Sequence, residues 1–309
     1  MAATPHVVVV GSGVAGLSAA VTAAEELGST GSVVLVERCQ EQEAGGLTRW
    51  TSAYLRLEDV YETADSFVED VVGFSGGRTR RAYVEALQAA VPDTMEWIQG
   101  HGARFKKLPT YFVNSTRPRL QPVGGGEALR RHLLAAAERL GVDIRYETTA
   151  VDLVRDDAGA VAGLAVERDG QRFVVDATAV VIASGGFEGN PGDLAAALGP
   201  EADRLVAVAP GAHANRGEGI AMALRAGAAR SGEWDNFHAE PVDPRSNDPG
   251  ALVMVFPYGI LVNAAGRRFV DEGAGTVDEA YEQTVRAIWR EGNGTAYFVT
   301  DRQLTDISD

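Results

Sequence analysis

The chain has 309 residues, enough for two domains, and its 45% hydrophobic and 23% charged residues are those of ordinary globular protein with a core that needs no staple. A formal net charge of −15 with no offsetting basic stripe argues against a nucleic-acid partner, and it obliges any anionic ligand to be held by local arginine or histidine. The single cysteine, Cys39, excludes a disulfide framework and a cysteine-based metal site, no metal centre is expected, and no apolar run reaches the roughly 18 residues of a membrane span.

In chain order, residues 7–10 are a β-branched run read as a buried parallel strand. No basic residue precedes them, so they are not a signal peptide, and a cytoplasmic location is expected. A glycine turn over 11–16 leads into an alanine-rich helix over 14–27 that ends at Gly28, and 33–36 form a second buried strand. Helical spacing returns at Tyr83, Leu87, Val91, Met95 and Ile98, closed by Gly100, and again at Leu129, Leu133, Ala137 and Leu140, closed by Gly141. Short alternating strands follow over 143–176, with Arg168-Asp169-Gly170-Gln171 as a hairpin turn between 161–167 and 173–175. Residues 180–183 are a further buried strand, and a helix over about 219–225 is capped by Gly227. After Asp235 the character changes to a loop with Pro241, Pro244 and Pro249, then a strand over 260–263 and a helix over 277–290. A boundary near 234–238 divides the chain into domains of residues 1–235 and 236–309.

The strongest motif is Gly11-Ser12-Gly13-Val14-Ala15-Gly16, set between a strand and a helix, with the acidic Glu37 ending the next strand. Gly11 permits the tight turn, Gly13 lets a pyrophosphate approach the helix N-terminus where Val14 and Ala15 begin it, and Gly16 lets helix and strand pack closely. Glu37 is placed to accept from ribose hydroxyls, with Arg38 beside it. Two further doublets, Gly45-Gly46 and Gly185-Gly186, supply the extra close backbone approaches that a flavin with its ribityl arm requires, so FAD is expected rather than NAD. The fold class is α/β: a Rossmann-like domain of parallel sheet and helices with a small antiparallel β-element.

Gly45-Gly46-Leu47-Thr48, Ala183-Ser184-Gly185-Gly186 and the turn Gly217-Glu218-Gly219-Ile220 together resemble the flavoprotein family of fumarate reductases and succinate dehydrogenases, whose corresponding turn carries Asp where Glu218 stands. Residues 45–51 with Leu55 and Arg56, 124–129 with 138–146, and 267–273 are similar to the tricarballylate dehydrogenase-like branch. The resemblance implies that Thr48 bonds the cofactor, that Ala150 and Val151 line it, and that FAD is noncovalent, since no histidine lies near Gly45 to Tyr54. It implies a second, partial α/β capping domain, whose closing segment and the return to the first domain would lie beyond Asp309.

The activity implied is dehydrogenation or reduction of a C–C bond beside a carboxylate by hydride transfer with flavin N5, on a tricarballylate-like polycarboxylate. His238 and Arg56 are the candidates to hold that carboxylate. A water-exposed loop histidine and a solvated surface arginine are the competing readings. His213 and Arg216 flank the Gly217 turn, and Tyr111, Phe112 and Asn114 are candidates for a pocket wall. Two departures matter: Ser52-Ala53-Tyr54-Leu55 replaces the Ser-x-Gly-Gly usual in fumarate reductases and 3-ketosteroid dehydrogenases, and no arginine lies around Thr276-Val277-Asp278, where fumarate reductases carry one. A 3-ketosteroid dehydrogenase-like enzyme and a non-catalytic flavin-binding module are the alternatives. The electron acceptor stays open among quinone, oxygen and another protein.

Overall fold

The computed structural model describes residues 4, 6–109, 117–246 and 252–302, so Tyr111, Phe112, Asn114 and Pro249 lie outside the described residues. The elements are β1 (His6–Val10), α1 (Val14–Leu27), β2 (Ser32–Val36), α2 (Phe67–Phe74), α3 (Arg81–Gly100), β3 (Phe105–Lys107), β4 (Leu120–Pro122) and α4 (Gly125–Arg139). They continue as β5 (Asp143–Arg145), β6 (Thr149–Arg155), β7 (Val161–Arg168), β8 (Gln171–Asp176), β9 (Ala179–Ile182), α5 (Pro191–Leu198), α6 (Glu218–Arg225), β10 (Ile260–Val262), α7 (Val277–Glu291) and β11 (Tyr297–Val299).

The central sheet has the order β5-β2-β1-β9, all parallel. Alternation along β1 fills both of its faces. Val9 joins Leu35 in the layer packed by Leu17, Ala20 and Val21 of α1 and Leu133, Ala136 and Ala137 of α4, where alanines let the two helices approach closely. Val8 and Val10 point the other way, into Ala150, Leu164, Val166 and Val175 of the antiparallel β6-β7-β8 sheet and Met222 of α6. The β7–β8 turn places Asp169 (φ 52°) and Gly170 (φ 72°) in the left-handed region, as a two-residue hairpin turn with right-handed strand twist demands.

A separate core gathers Phe256, Leu261, Val277 and Ala280 between the β10–β11 pair and α7. The capping box of Thr276 and Glu279 starts α7. Glu272 is 2% exposed there, and burial alone would raise its carboxyl pKa. The Leu261 N–H (2.5 Å) and the Arg268 guanidinium (2.6 Å) instead hold it below the usual carboxylate range.

Three expectations are corrected. The strand expected to be buried at 180–183 is β9, which pairs only with β1 among the described residues and leaves Val181 37% exposed. In α3, Tyr83 and Leu87 face solvent and Val84, Met95 and Ile98 face inward, because the helix meets its neighbours along a narrow seam. The glycine that turns the chain after α3 is Gly102 (φ 102°), with Gly100 still helical. Among the described residues no helix is long and apolar enough to cross a membrane.

Candidate functional site: a glycine-lined cradle at the end of β1

The first turn of the motif sorts its glycines by what surrounds them. A Cβ on Gly11 (φ 101°) would lie 2.6 Å from the Ala183 carbonyl oxygen, and one on Gly16 would lie 1.9 Å from that of Gly11, so both are required by the packing of the chain on itself. Gly13 is different. It caps α1 in extended conformation, and its Cβ position meets nothing nearer than Thr48 Oγ1 at 3.4 Å. A side chain there would therefore fit the protein itself, and the first-turn amides of Ala15 and Gly16 have no intrahelical acceptors. The Val14 N–H donates to Thr48 Oγ1 (3.0 Å), which leaves the hydroxyl proton free to donate outward.

Glu37 ends β2 buried at 8% exposure. One carboxylate oxygen accepts from the Ser12 N–H (3.0 Å) and hydroxyl (2.5 Å), the other from the Cys39 N–H (2.9 Å). The carboxylate is thereby aimed across the glycine turn with lone pairs to spare for ribose hydroxyls. Burial, with the Glu37 carboxylate beside it, pushes the Cys39 thiol up to about 11, so it stays protonated and inert. Arg38 turns from the same strand end to Glu218 (2.9 Å) and to the Ala214 carbonyl (3.1 Å). Glu218 therefore has a definite partner: it ties α6 to the end of β2.

The second doublet divides its labour. The Cβ position of Gly45 (φ 112°) lies 2.2 Å from Arg130 Cδ, whereas that of Gly46 (φ 52°) meets nothing nearer than Asn215 Oδ1 at 3.9 Å. Gly45 yields its space to an arginine; Gly46, followed by Leu47 and Thr48 in a tight turn, faces the open cradle. Arg130, 9% exposed, forks onto Glu127 through two bonds of 2.7 and 2.8 Å, which raises its own pKa and lowers that of Glu127.

The third doublet interlocks with the turn before α6. Gly185 (φ 77°) leaves room for the Asn215 side chain, Gly217 N–H donates to Gly186 O (3.0 Å), and a Cβ on Gly219 would strike Ser184 Oγ at 2.0 Å. Asn215, itself buried, donates to Glu188 (2.5 Å) and forms the floor beside Gly46. Ala150 turns its side chain into the core between the sheets, so only its backbone is available to the cradle, and the Val151 carbonyl accepts from Arg225 (3.2 Å).

Sequence reasoning missed Arg130 and Asn215 as wall and floor. A Glu–Arg pair three apart reads as a solvated helix face, and Asn215, two residues before Gly217, carries no local signal of its own. Glycines at 13 and 46 that the chain's own packing does not demand, the helix N-terminus and the Glu37 carboxylate at one end fit an extended ribose–diphosphate chain, and hence FAD.

Two of the remaining candidates, His238 and Arg56, pair with acids of α7. His238 is held by Glu282 at Nδ1 and faces Glu240 (3.9 Å) at Nε2, with its ring edge on Tyr281. Glu240 and then Glu282 push it up to about 9, against the opposing effect of burial. Arg56 pairs with Asp278 (2.5 Å), one helical turn from Glu282. The structure thus brings His238 and Arg56 to one face of α7, and each already has an acidic partner. His213 and Arg216 are exposed; His213 Nδ1 lies against the Pro210 carbonyl, and the Arg216 carbonyl accepts from Asn190 (3.1 Å).

The model of the FAD binding domain matches residues 6–305. The chain belongs to the FAD binding domain family. FAD is its cofactor, and its relatives include the fumarate reductase flavoproteins. It is 29% identical over 290 residues to a fumarate reductase (cytochrome) of Shewanella frigidimarina, covering 88% of this chain and 49% of the relative. It is 26% identical over 284 residues to the vinyl phenol reductase of Lactiplantibacillus plantarum, covering 86% and 56%. Its fold matches that of a 3-ketosteroid-Δ4-(5α)-dehydrogenase from Rhodococcus jostii with a TM-score of 0.76 at 22% identity, covering 98% of this chain and 68% of that one. The chain spans about half the length of the curated relatives it matches.

Proposed function

We propose that the protein is a FAD-dependent oxidoreductase that dehydrogenates or reduces a C–C bond adjacent to a carboxylate, with a tricarballylate-like polycarboxylate as substrate. The observation that carries the flavin part is the closure of three glycine loops on one cradle, in which Gly13 and Gly46 are not demanded by the chain's own packing and Glu37 is fixed at its end. When bound, FAD supplies the hydride acceptor or donor. The chain's own residues bind and orient: amides of α1 face the diphosphate, Glu37 the ribose, and the Thr48 hydroxyl the cofactor's length. His238 and Arg56, gathered against one face of α7, are the side chains offered to the substrate.

The division near residue 235 belongs to the same reading. It is supported by the cores: among the described residues the clusters around the parallel sheet draw on residues up to 222, and the α7 cluster on residues 254–298. The alternative of a neutral ketone substrate draws on one observation, the acidic partners that already neutralise His238 and Arg56.

Anaerobic titration of the flavin-loaded protein separates the two readings. Bleaching of the flavin by tricarballylate, or reoxidation of reduced flavin by its unsaturated counterpart, is the expected result. Bleaching by a neutral steroid ketone with polycarboxylates inert would refute the carboxylate reading. Acid precipitation should leave the yellow colour in the supernatant, as noncovalent FAD requires.

A further inference from the structure

Leu55 and Leu120 form an antiparallel bridge through two backbone hydrogen bonds of 2.8 and 2.9 Å. In that register the next residues along the two backbones are Arg56 and Arg119, opposite one another. Like charges directly across a strand pair are destabilising unless an anion lies between them. Here the anion is Asp278: one carboxylate oxygen is 2.5 Å from Arg56 Nη1, and the other is 3.4 Å from Arg119 Nη1. The arginines and the aspartate come from different parts of the fold. Leu55 and Leu120 pack with Leu57 and Met95, whereas Asp278 rides on the first turn of α7 over its own core. One side of the site is sheltered, with the Arg119 and Asp278 side chains each 15% exposed and the Arg119 guanidinium over the Tyr54 ring at 5.1 Å, while Arg56, 46% exposed, opens it to solvent. The adjacent acid on α7, Glu282, is engaged by His238 and Arg286, so it does not compete for the pair.

We propose that Arg56 and Arg119 form a binding site for a substrate carboxylate, and that Asp278 fills it in the resting arrangement as a built-in competitor that the substrate displaces. The inference rests on the carboxylate reading of the function and adds to it a second arginine and a mechanism of exclusion. A neutral ligand cannot take the place of Asp278, so the arginines stay masked against uncharged molecules. The two positive charges, set side by side by the bridge, match a carboxylate by one oxygen each. They do so at the start of α7, where the sequence itself has no arginine.

The test compares wild type, Asp278→Asn, Asp278→Ser and Arg119→Met as full-length, flavin-loaded proteins. Tricarballylate and neutral succinamide are titrated while the flavin absorbance band and the heat of binding are followed. Removal of the internal carboxylate should tighten tricarballylate binding about 10-fold or more in both Asp278 variants, on the scale of one charge-assisted contact, and leave succinamide unchanged. Arg119→Met should weaken tricarballylate by a similar factor, with FAD affinity unaltered. Equal tricarballylate affinity in wild type and in an Asp278 variant of wild-type flavin spectrum overturns the competitor role, and unchanged affinity in Arg119→Met overturns the site. Tricarballylate that binds wild type but ignores the substitutions sinks this inference alone; failure of any carboxylate to bind any of the four proteins sinks the functional reading with it.

Discussion

Gly13 and Gly16 sit three residues apart in one turn, yet a methyl group at each should have opposite consequences. At Gly16 the added carbon would lie 1.9 Å from the Gly11 carbonyl oxygen, so backbone must shift. Gly16→Ala is expected to destabilise the apoprotein by about 1–3 kcal/mol, the cost typical of overpacking. At Gly13 the same carbon makes only ordinary contacts, with Thr48 Oγ1 at 3.4 Å and the Gly45 carbonyl oxygen at 3.8 Å, in a backbone conformation that alanine adopts freely. Gly13→Ala should leave the melting temperature of the apoprotein nearly unchanged and weaken FAD at least roughly 10-fold, because the methyl stands where the diphosphate approaches the helix end. Parallel melting and FAD titrations check this; equal loss of stability in both variants would show that Gly13 serves packing as well. His238 gives a prediction in pH. Its folded pKa of about 9 exceeds the ordinary 6.5, so its charge stabilises the fold fully below about pH 6.5, and that contribution is lost as pH rises through 9. The melting-temperature gap between wild type and His238→Gln should therefore shrink between pH 6.5 and 9.5. A gap that stays constant across that range would mean the ring is held by packing alone.

At the scale of elements, the pair Glu127–Arg130 shows how a helix can shape a loop on another part of the chain. The Arg130 stem occupies the place of a Gly45 Cβ, and Gly126 brings α4 so close that a Cβ there would lie 2.0 Å from the Thr48 carbonyl oxygen. Arg130→Met removes the fork on Glu127 and leaves a carboxylate in partly sheltered surroundings. The expected cost is about 1–3 kcal/mol, and it should appear in urea as a lower midpoint at unchanged slope. FAD affinity should fall as the 46–49 turn loses its backing, and unaltered affinity would show that the turn holds its shape alone. The elements legible in sequence are those whose pattern and punctuation agree. The bounds of α1 follow from a glycine turn before it and Gly28 (φ 49°) after it, and the β7–β8 hairpin follows from Asp169-Gly170. The elements not anticipated are α2, α5, the short β3–β4 pair and β11, which carry too few residues for a period to show. Even there α5 had a local signal, since Asn190 caps it through the N–H groups of Gly192 and Asp193 with Pro191 at the first turn. In the site, glycines and the acid at the end of β2 could be read from spacing, whereas Arg119 facing Arg56 depends on a register between segments more than sixty residues apart that no local pattern encodes.

At the scale of the whole molecule, the net charge of −15 sets the terms on which a dianionic diphosphate reaches its cradle. A strongly positive local field could override it, but three arginines of the cradle are already paired: Arg38 with Glu218, and Arg49 and Arg130 with Glu127. The phosphates fall chiefly to the backbone amides at the start of α1, a short-range attraction that does not steer from a distance. Approach is therefore against a field of like sign, and salt should help rather than hinder it. Raising ionic strength from about 0.01 to 0.15 M shortens the Debye length from roughly 30 to 8 Å, so the repulsion is cut to contact range while the amide contacts persist. The association rate of FAD with apoprotein, followed by quenching of flavin fluorescence in a stopped-flow instrument, is expected to rise over that range. A rate that falls with salt would show instead that the arginines guide the cofactor. Glu218→Gln sharpens the comparison, because it removes one negative charge and releases Arg38 beside the path: its association rate at low salt should exceed that of wild type, and the two should converge as salt is added.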